Sequence, residues 1–140
     1  MDSRQHKIVV VGAGSGIGAA TAAHFHHNGD HVLAADLRPT KAQAAQHEQC
    51  DLRDATAIAA LLDRIGPGWD LPAYIAGVPG TAPAADVLKV NYLGRHATVD
   101  DIVPVIAFLG SPQARWINGQ DIHVDGGFVA PLVAGAPIQL

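Results

Sequence analysis

The sequence predicts an α/β fold in which a minimal doubly wound parallel sheet of about five strands carries helices on both faces. Short β-branched runs alternate with alanine-rich or amphipathic segments, the order typical of strand–helix–strand units. Glycine, Asn-Gly and Gly-Pro-Gly sequences separate these segments. Hydrophobic residues make up 49% of the 140 residues and charged residues 16%, as expected for strands buried on both faces. This length predicts one domain, 1–140, ending in an apolar tail, 128–140.

The first two strands and the helix between them are predicted by apolar runs and their end signals. Lys7–Val11 is a β-branched run stopped by glycine, which indicates a buried parallel strand. Residues 17–28 are rich in alanine and end at Asn28-Gly29, which predicts a helix with a left-handed cap. His31–Asp36 is again mostly apolar and predicts the second strand. Together these elements form one β-α-β unit.

Residue patterns in the middle of the chain predict two helices and two strands. Residues 42–47 are interpreted as a short helix and residues 49–52 as a brief third strand. Asp54 caps the next helix, which Gly66-Pro67-Gly68 ends. The apolar side chains of that helix recur at helical spacing, at Ile58, Leu61, Leu62 and Ile65. Residues 73–77 predict the fourth strand.

The last third of the chain predicts a helix and a final strand, after a helical piece at 87–91. Thr98-x-x-Asp101 before an apolar run has the form of a capping box. One face of this helix carries Ile102, Ile106 and Leu109. Pro104 predicts that the helix begins late or bends there, because proline lacks an N–H and crowds the preceding turn. Residues 121–124 predict a last strand beside the fourth, giving the strand order 3-2-1-4-last with right-handed crossovers.

Composition and residue counts exclude several kinds of partner. A net charge of −4 offers no basic surface to a phosphate backbone, so we expect no nucleic-acid partner. No apolar run reaches membrane length and no signal peptide precedes the first strand, so we expect no membrane partner. The single Cys50 cannot form an internal disulfide, which predicts a reducing, cytoplasmic setting. We predict no metal site, since no carboxylate or thiolate completes a set with His24, His27 and His31.

A glycine-rich turn joins the first predicted strand to the first predicted helix. Its backbone can approach a pyrophosphate, and the start of the helix supplies unpaired N–H groups to bind it. Asp36 ends the second strand, at the distance where a carboxylate holds both ribose hydroxyls. The same charge would repel a 2′-phosphate, which favours NAD over NADP unless Arg38 compensates. The alternative is a glycine turn that binds nothing. The residues of this predicted NAD site are Gly12, Gly14, Ser15, Gly16, Ile17, Gly18 and Asp36.

Several segments together resemble the short-chain dehydrogenase family. The glycine turn matches the family's glycine pattern, and Asp51-Leu52 matches its adenine-side acidic position. Ala76-Gly77 stands where the family has Asn-Asn-Ala-Gly, residues 90–94 resemble its helix with a structural Asn, and residues 117–127 resemble its ending. The resemblance covers nearly all of the chain and is nearest to bacterial hydroxysteroid-dehydrogenase-like members. It implies NAD as cofactor and adds Asp51, Leu52, Ala76 and Gly77 to the predicted cofactor-binding residues.

The catalytic segment of that family has no counterpart in this sequence. The resemblance implies a Ser and a Tyr-x-x-x-Lys helix, in which Lys lowers the Tyr pKa so that Tyr can pass a proton. Here Gly94 is followed at once by Arg95-His96, where the family has two further strands. The only tyrosines are Tyr74 and Tyr92, and neither has a lysine four residues later. We therefore expect redox activity that is weak, altered or lost.

The remaining catalytic candidates each have a structural alternative. Asn91 could orient a proton relay or only form structural hydrogen bonds. Tyr92 could supply an acid or only pack against its neighbours. His96 could act as a general acid or base, but it also suits a loop without chemistry.

Several functions therefore stay open. The first is an NAD(H)-binding protein of oxidoreductase ancestry. The second is a non-redox isomerase, lyase or cyclase that reuses the opened cleft with Tyr74, Tyr92, His96 or Asp125. The third is a binding or regulatory module that pairs with a full-length relative, and the fourth is a deleted fragment without activity. We expect a small-molecule ligand and a homo-oligomer, a dimer or tetramer formed through the last strand and residues 99–109.

Overall fold

The structure, a computed structural model, describes residues 4–77 and 93–127. Within these ranges the chain forms β1 (Lys7–Val11), α1 (Gly16–His27), β2 (His31–Asp36), β3 (Gln46–Gln49), α2 (Ala55–Ile65), β4 (Leu71–Tyr74), α3 (Val99–Leu109) and a 3₁₀ helix (Pro112–Ala114). None of the helices in the described ranges has the length and apolar character needed to cross a membrane. The predicted helical piece at 87–91 and the tail 128–140 lie outside the described residues, as do Asn91 and Tyr92.

The four described strands form one parallel sheet in the order β3-β2-β1-β4. Ile8 of β1 lies opposite Val32 of β2 on one side and opposite Leu71 of β4 on the other. Because every pair is parallel, the carboxyl ends of the strands lie at the same edge of the sheet. The predicted α/β class and the 3-2-1-4 part of the predicted strand order are confirmed.

Helices cover both faces of the sheet and form a separate buried cluster on each. Val10 of β1 packs in the same cluster as Phe25 of α1, whereas Leu33 of β2 packs in the cluster of Leu61 of α2. Val10 and Leu33 are fully buried. Burying an aliphatic side chain of this size stabilises a fold by about 1.5–3 kcal/mol. These two clusters hold β1 and β2 in the centre of the sheet and fix the positions of their carboxyl ends.

The chain around β3 differs from the prediction. Residues 42–47 do not form a helix, and the third strand is Gln46–Gln49 rather than residues 49–52. The N–H of Ala45 donates to the carbonyl of Val32 at 2.9 Å, which leads the chain into its pairing with β2. These bonds to β2 outweigh the helix propensity of the alanine-rich run.

The outer edge of the sheet also differs from the prediction. Strand β4 spans Leu71–Tyr74 instead of 73–77, because its register follows the paired part of β1. Residues 121–124 form no strand, so the sheet has four strands within the described residues rather than about five. Strand β4 is short and contains Pro72, which has no N–H to donate. A fifth strand that paired with β4 would therefore lack the backbone hydrogen bond that the N–H of residue 72 would otherwise donate.

Helix α3 begins at the predicted capping box and contains Pro104. The Asp101 carboxylate accepts hydrogen bonds from the Thr98 N–H at 2.8 Å and from the Thr98 hydroxyl at 3.1 Å, which confirms the start signal. The Arg95 guanidinium bonds both oxygens of Asp101 and, with the Thr98 amide, holds the pKa of that carboxyl well below its usual range. Of the two predicted alternatives, the late start is wrong, because the helix spans Val99–Leu109 with Pro104 inside it, and the bend stays a prediction. Pro104 is exposed, so water can bond the carbonyl left without a donor. Of the three apolar residues predicted to share one face, Ile102 and Ile106 are half-buried and Leu109 is exposed.

Candidate functional site

An open cleft of about 1190 Å³ lies at the carboxyl ends of β1, β2 and β4. The chain segments that follow the four strands line it, at residues 11, 12, 15–18, 35–38, 50–53 and 74–77. Ligands bind at this edge of open α/β sheets, where successive crossovers leave on opposite sides. Every predicted cofactor-binding residue except Gly14 lines the cleft. The fold thus brings together residues that lie far apart in the sequence.

The turn between β1 and α1 packs too closely for side chains at two of its glycines. Gly12 has a φ of +89°, and a Cβ there would lie 2.5 Å from the backbone nitrogen of Ala76. A Cβ at Gly18 would lie 2.0 Å from the carbonyl oxygen of Gly12. Both distances are far below van der Waals contact, so only glycine fits these positions. The start of α1 is therefore packed directly against the end of β1 and beside Ala76.

The first turn of α1 presents backbone N–H groups to the cleft. Gly16, Ile17 and Gly18 begin the helix and line the cleft, and N–H groups at these positions have no acceptor within a helix. No acidic residue occupies this turn, so the positive end of the helix dipole is not neutralised there. Ser15 is the N-cap residue but makes no side-chain cap hydrogen bond, so local capping is not its role. This set of donors suits a diphosphate.

Asp36 holds its carboxylate against the glycine turn. One oxygen accepts a hydrogen bond from the N–H of Gly14 at 2.9 Å, and the other accepts one from the N–H of Arg38 at 3.1 Å. A Cβ at Gly14 would lie 2.7 Å from this carboxylate, so Gly14 supports Asp36 rather than lining the cleft itself. Each carboxylate oxygen can accept a second hydrogen bond. Asp36 can therefore also accept hydrogen bonds from hydroxyl groups in the cleft.

The segment after β3, which is bonded to the end of β2 beside Asp36, carries an ion pair that sequence analysis missed. Arg53 donates to both oxygens of Asp51, at 2.9 and 2.7 Å, and these bonds lower the pKa of Asp51 to about 2. Both residues line the cleft beside Leu52. The predicted adenine-side acid is thus in the cleft, but its charge is balanced by Arg53. The only local sequence signal for this ion pair is that a basic residue stands two positions after an acidic one.

The catalytic candidates are not gathered at this cleft within the described residues. Tyr74 lines the cleft and is 69% exposed. His96 is exposed and is not one of the residues that line the cleft. Asp125 lies in a second pocket of about 340 Å³, which Arg95 and His123 also line. The described residues considered as acids or bases for a non-redox enzyme therefore do not share one site.

The histidines near α1 have other contacts. The Nε2 of His24 lies 3.1 Å from the side-chain nitrogen of Asn28, and the ring of His31 lies 5.8 Å from that of Trp69. Across residues 4–77 and 93–127, no three His, Cys, Asp or Glu side chains are grouped so that they could hold a metal ion.

Family models and known proteins match this chain over most of its length. A model described as short chain dehydrogenase matches residues 6–95, and one described as enoyl-(acyl carrier protein) reductase matches residues 65–129. The chain is 37% identical to coniferyl-alcohol dehydrogenase of Pseudomonas sp. (strain HR199 / DSM 7063), over 96% of this chain and 56% of that protein. It is 29% identical to cyclohexanol dehydrogenase of Rhodococcus sp. (strain TK6), over 90% of this chain and 43% of that protein. The chain thus spans about half the length of these relatives.

Solved structures share the fold. A C-terminal deletion mutant of Thermoplasma acidophilum aldohexose dehydrogenase superposes with a TM-score of 0.70 at 16% identity, over 92% of this chain and 99% of that one. The 3-alpha-hydroxysteroid dehydrogenase from Pseudomonas sp. B-0831, solved with NADH, superposes with a TM-score of 0.67 at 21% identity, over 91% and 98% of the two chains. At these identities the likeness establishes the fold alone.

Proposed function

Because the chain belongs to the short-chain dehydrogenase family, we propose that it binds NAD(H) in the cleft at the carboxyl ends of the strands, and that its redox activity is weak, altered or lost. One observation carries the proposal: a helix start rich in free N–H groups and the Asp36 carboxylate face the same cleft. The first suits a diphosphate and the second suits ribose hydroxyls. The two groups lie at the start of the helix and at the end of the second strand of one β-α-β unit, the arrangement that binds dinucleotides in open α/β sheets.

In this proposal each segment of the cleft holds one part of the cofactor. The N–H groups of residues 16–18 and the Ser15 hydroxyl bind the diphosphate, and Asp36 binds the adenosine ribose. Leu52 and Asp51 lie on the adenine side, and Ala76 and Gly77 lie beside the turn. Two features of the cleft support the fit: glycine is required where the turn backbone approaches, and no acidic side chain occupies the first turn of α1. When bound, NAD(H) supplies a group that accepts or donates a hydride.

The charges around the ribose end favour NAD over NADP in this proposal. Asp36 places a negative charge where a 2′-phosphate would lie, and the two would repel each other. Arg53 is paired with Asp51, so its charge is already balanced. Arg38 also lines the cleft and donates its backbone N–H to Asp36, and we propose that the Asp36 carboxylate rather than the Arg38 side chain meets the ribose. A preference for NADH over NADPH follows.

The proposed loss of redox activity rests on the tyrosines. A tyrosine acts as a general acid efficiently when a neighbouring cation lowers its pKa. Tyr74 is the tyrosine that the described structure brings to the cleft, and residue 78, four positions later, is valine rather than lysine. We therefore propose that a small-molecule ligand beside the cofactor is bound without efficient proton transfer.

A fluorescence titration tests the proposed cofactor binding. Adding the protein to NADH is expected to give a saturable change in NADH fluorescence, and NADPH is expected to require a higher protein concentration for the same change. Absence of saturable NADH binding at millimolar cofactor would overturn the proposal. The rate of NADH oxidation with added ketones and aldehydes, followed in the same samples, is expected to be low.

We also propose that the chain forms a homo-oligomer, a dimer or tetramer, through α3 and the segment that follows it. Phe108 and Leu109 at the end of α3 are exposed, and the Trp116 side chain is 95% exposed. Large apolar side chains exposed close together in the sequence support an interface here, since exposed apolar patches mark protein–protein contacts. Light scattering over a concentration series is expected to give a mass above that of one chain, and Trp116→Ser is expected to lower it. The mass of one chain at every concentration would contradict this proposal.

A further inference from the structure

The glycine turn is bonded to the end of β2 through its backbone. The N–H groups of Gly12 and Ala13 both donate to the carbonyl of Ala35, at 2.8 and 3.1 Å. The next N–H, that of Gly14, donates to the Asp36 carboxylate at 2.9 Å. Three successive N–H groups of the turn are thus held by two successive residues of β2. The turn cannot move relative to β2 without breaking these bonds.

Thr40 adds a side-chain contact from the loop after β2. Its hydroxyl donates to the carbonyl of Ala13 at 3.2 Å and accepts from the N–H of Ala42 at 3.0 Å. The hydroxyl is therefore used both as donor and as acceptor. Thr40 is half-buried, Ala13 is fully buried, and Thr40 does not line the cleft. Thr40 thus contacts the turn from outside the cleft.

The carbonyl of Ala13 and the N–H of Gly14 belong to one peptide group. In a trans peptide these two groups point in opposite directions from the same rigid plane. Thr40 holds the carbonyl of this plane and Asp36 holds its N–H. The Ala13–Gly14 peptide is therefore fixed at both ends by two side chains. This orientation sets the course of the backbone into the first turn of α1.

We propose that Thr40 is a positioning residue for dinucleotide binding, one that keeps the Ala13–Gly14 peptide oriented so that the N–H groups at the start of α1 face the cleft. This inference rests on the proposed function. Thr40 touches no part of the cofactor in it and acts through Ala13. Ribose hydroxyls would share the Asp36 carboxylate with Gly14, because each carboxylate oxygen can accept a second hydrogen bond. Asp36 and Thr40 thus hold the two ends of this peptide together, and Thr40 does so without contacting the cofactor.

Substitutions that remove or keep the hydroxyl test this role through NADH affinity. Thr40→Val preserves the branched shape and is expected to weaken NADH binding about two- to tenfold, the range for loss of one neutral hydrogen bond. Thr40→Ser keeps the hydroxyl and is expected to stay within about twofold of the original protein. Thr56→Val, the same change at an exposed position of α2, is the matched control and is expected to leave affinity unchanged. Thr40→Ala serves as a second hydroxyl-free variant if Thr40→Val does not fold.

Amide hydrogen exchange of Gly14, measured without cofactor, separates this inference from the proposed function. The Gly14 N–H is expected to exchange faster in Thr40→Val than in the original protein, and at the original rate in Thr40→Ser. Unchanged exchange together with unchanged NADH affinity in Thr40→Val would overturn the role of Thr40. If the original protein binds no NADH, the proposed function fails, and the exchange rates alone decide whether Thr40 holds this peptide.

Discussion

Replacing Gly18 with alanine is expected to lower the free energy of unfolding by about 2–3 kcal/mol, although the same change inside a helix ordinarily raises it by about 1 kcal/mol. The reason is that the added Cβ would lie 2.0 Å from the carbonyl oxygen of Gly12. That oxygen is backbone of a turn bonded to β2, so it cannot rotate away as a side chain would. Relief requires α1 to move off the sheet, which opens the cluster around Phe25.

Urea unfolding measures this effect as a lower midpoint with an unchanged slope. Gly77→Ala is the matched control, because within residues 4–77 and 93–127 no atom lies within 4 Å of a Cβ at Gly77, and its φ is not positive. The control is expected to unfold at the original midpoint. A Gly18→Ala protein as stable as the original would contradict the close packing of the turn against α1.

Replacing Asp36 with alanine is expected to weaken NADH binding by about ten- to a hundredfold. Hydrogen bonds to a charged group contribute about 1.5–3 kcal/mol, and each 1.4 kcal/mol is tenfold in affinity. The change removes the acceptor for the ribose and also the acceptor of the Gly14 N–H, so the turn itself loses one of its contacts. NADPH binding is expected to weaken less or to improve, because repulsion of the 2′-phosphate disappears. The ratio of NADPH to NADH affinity therefore rises.

Parallel fluorescence titrations with NADH and NADPH measure this ratio. Asp63→Ala is the matched control: it removes the same charge from an exposed position of α2 that does not line the cleft. The control is expected to leave both affinities unchanged. If Asp36→Ala and Asp63→Ala behave alike, Asp36 has no part in recognising the ribose.

The sequence predicts the centre of the fold because the signals there are local. Strands β1 and β2 are continuous apolar runs stopped by glycine or by a charged residue, and both are found at the predicted residues. Helix α2 begins at Asp54 as predicted, where the carboxylate accepts from the Thr56 N–H at 2.8 Å. Such end signals depend on residues two or three positions apart, so no knowledge of the tertiary structure is needed.

The edges of the sheet could not be predicted in this way, because they depend on contacts between distant residues. Residues 42–47 have helix propensity, but pairing with β2 places a strand there instead. Residues 121–124 have a strand pattern, but they form no strand in the described structure, where β4, which contains Pro72, is an edge of the sheet. In both cases the available partner strand decides the outcome, and local sequence does not reveal it.

The sequence predicts the part of the candidate site that is built from the glycine turn and Asp36. It does not predict the contacts that ordinary loop residues make around this part. The turn chemistry of residues 12–18 and the position of Asp36 follow from a short motif. Arg53 and Thr40 have no such motif, because a base or a threonine in a loop is common without any role. Their contacts with Asp51 and Ala13 become visible only when the loops after β2 and β3 are brought beside the turn.

The central claim is that the start of α1 and Asp36 together hold one dinucleotide. A crystal structure of the protein grown with excess NAD tests it most directly. It is expected to show the diphosphate within hydrogen-bond distance of the N–H groups of residues 16–18 and the adenosine ribose hydroxyls on the Asp36 carboxylate. Crystals in which NAD is bound elsewhere, or in which this turn has no dinucleotide despite saturating NAD, would contradict the claim.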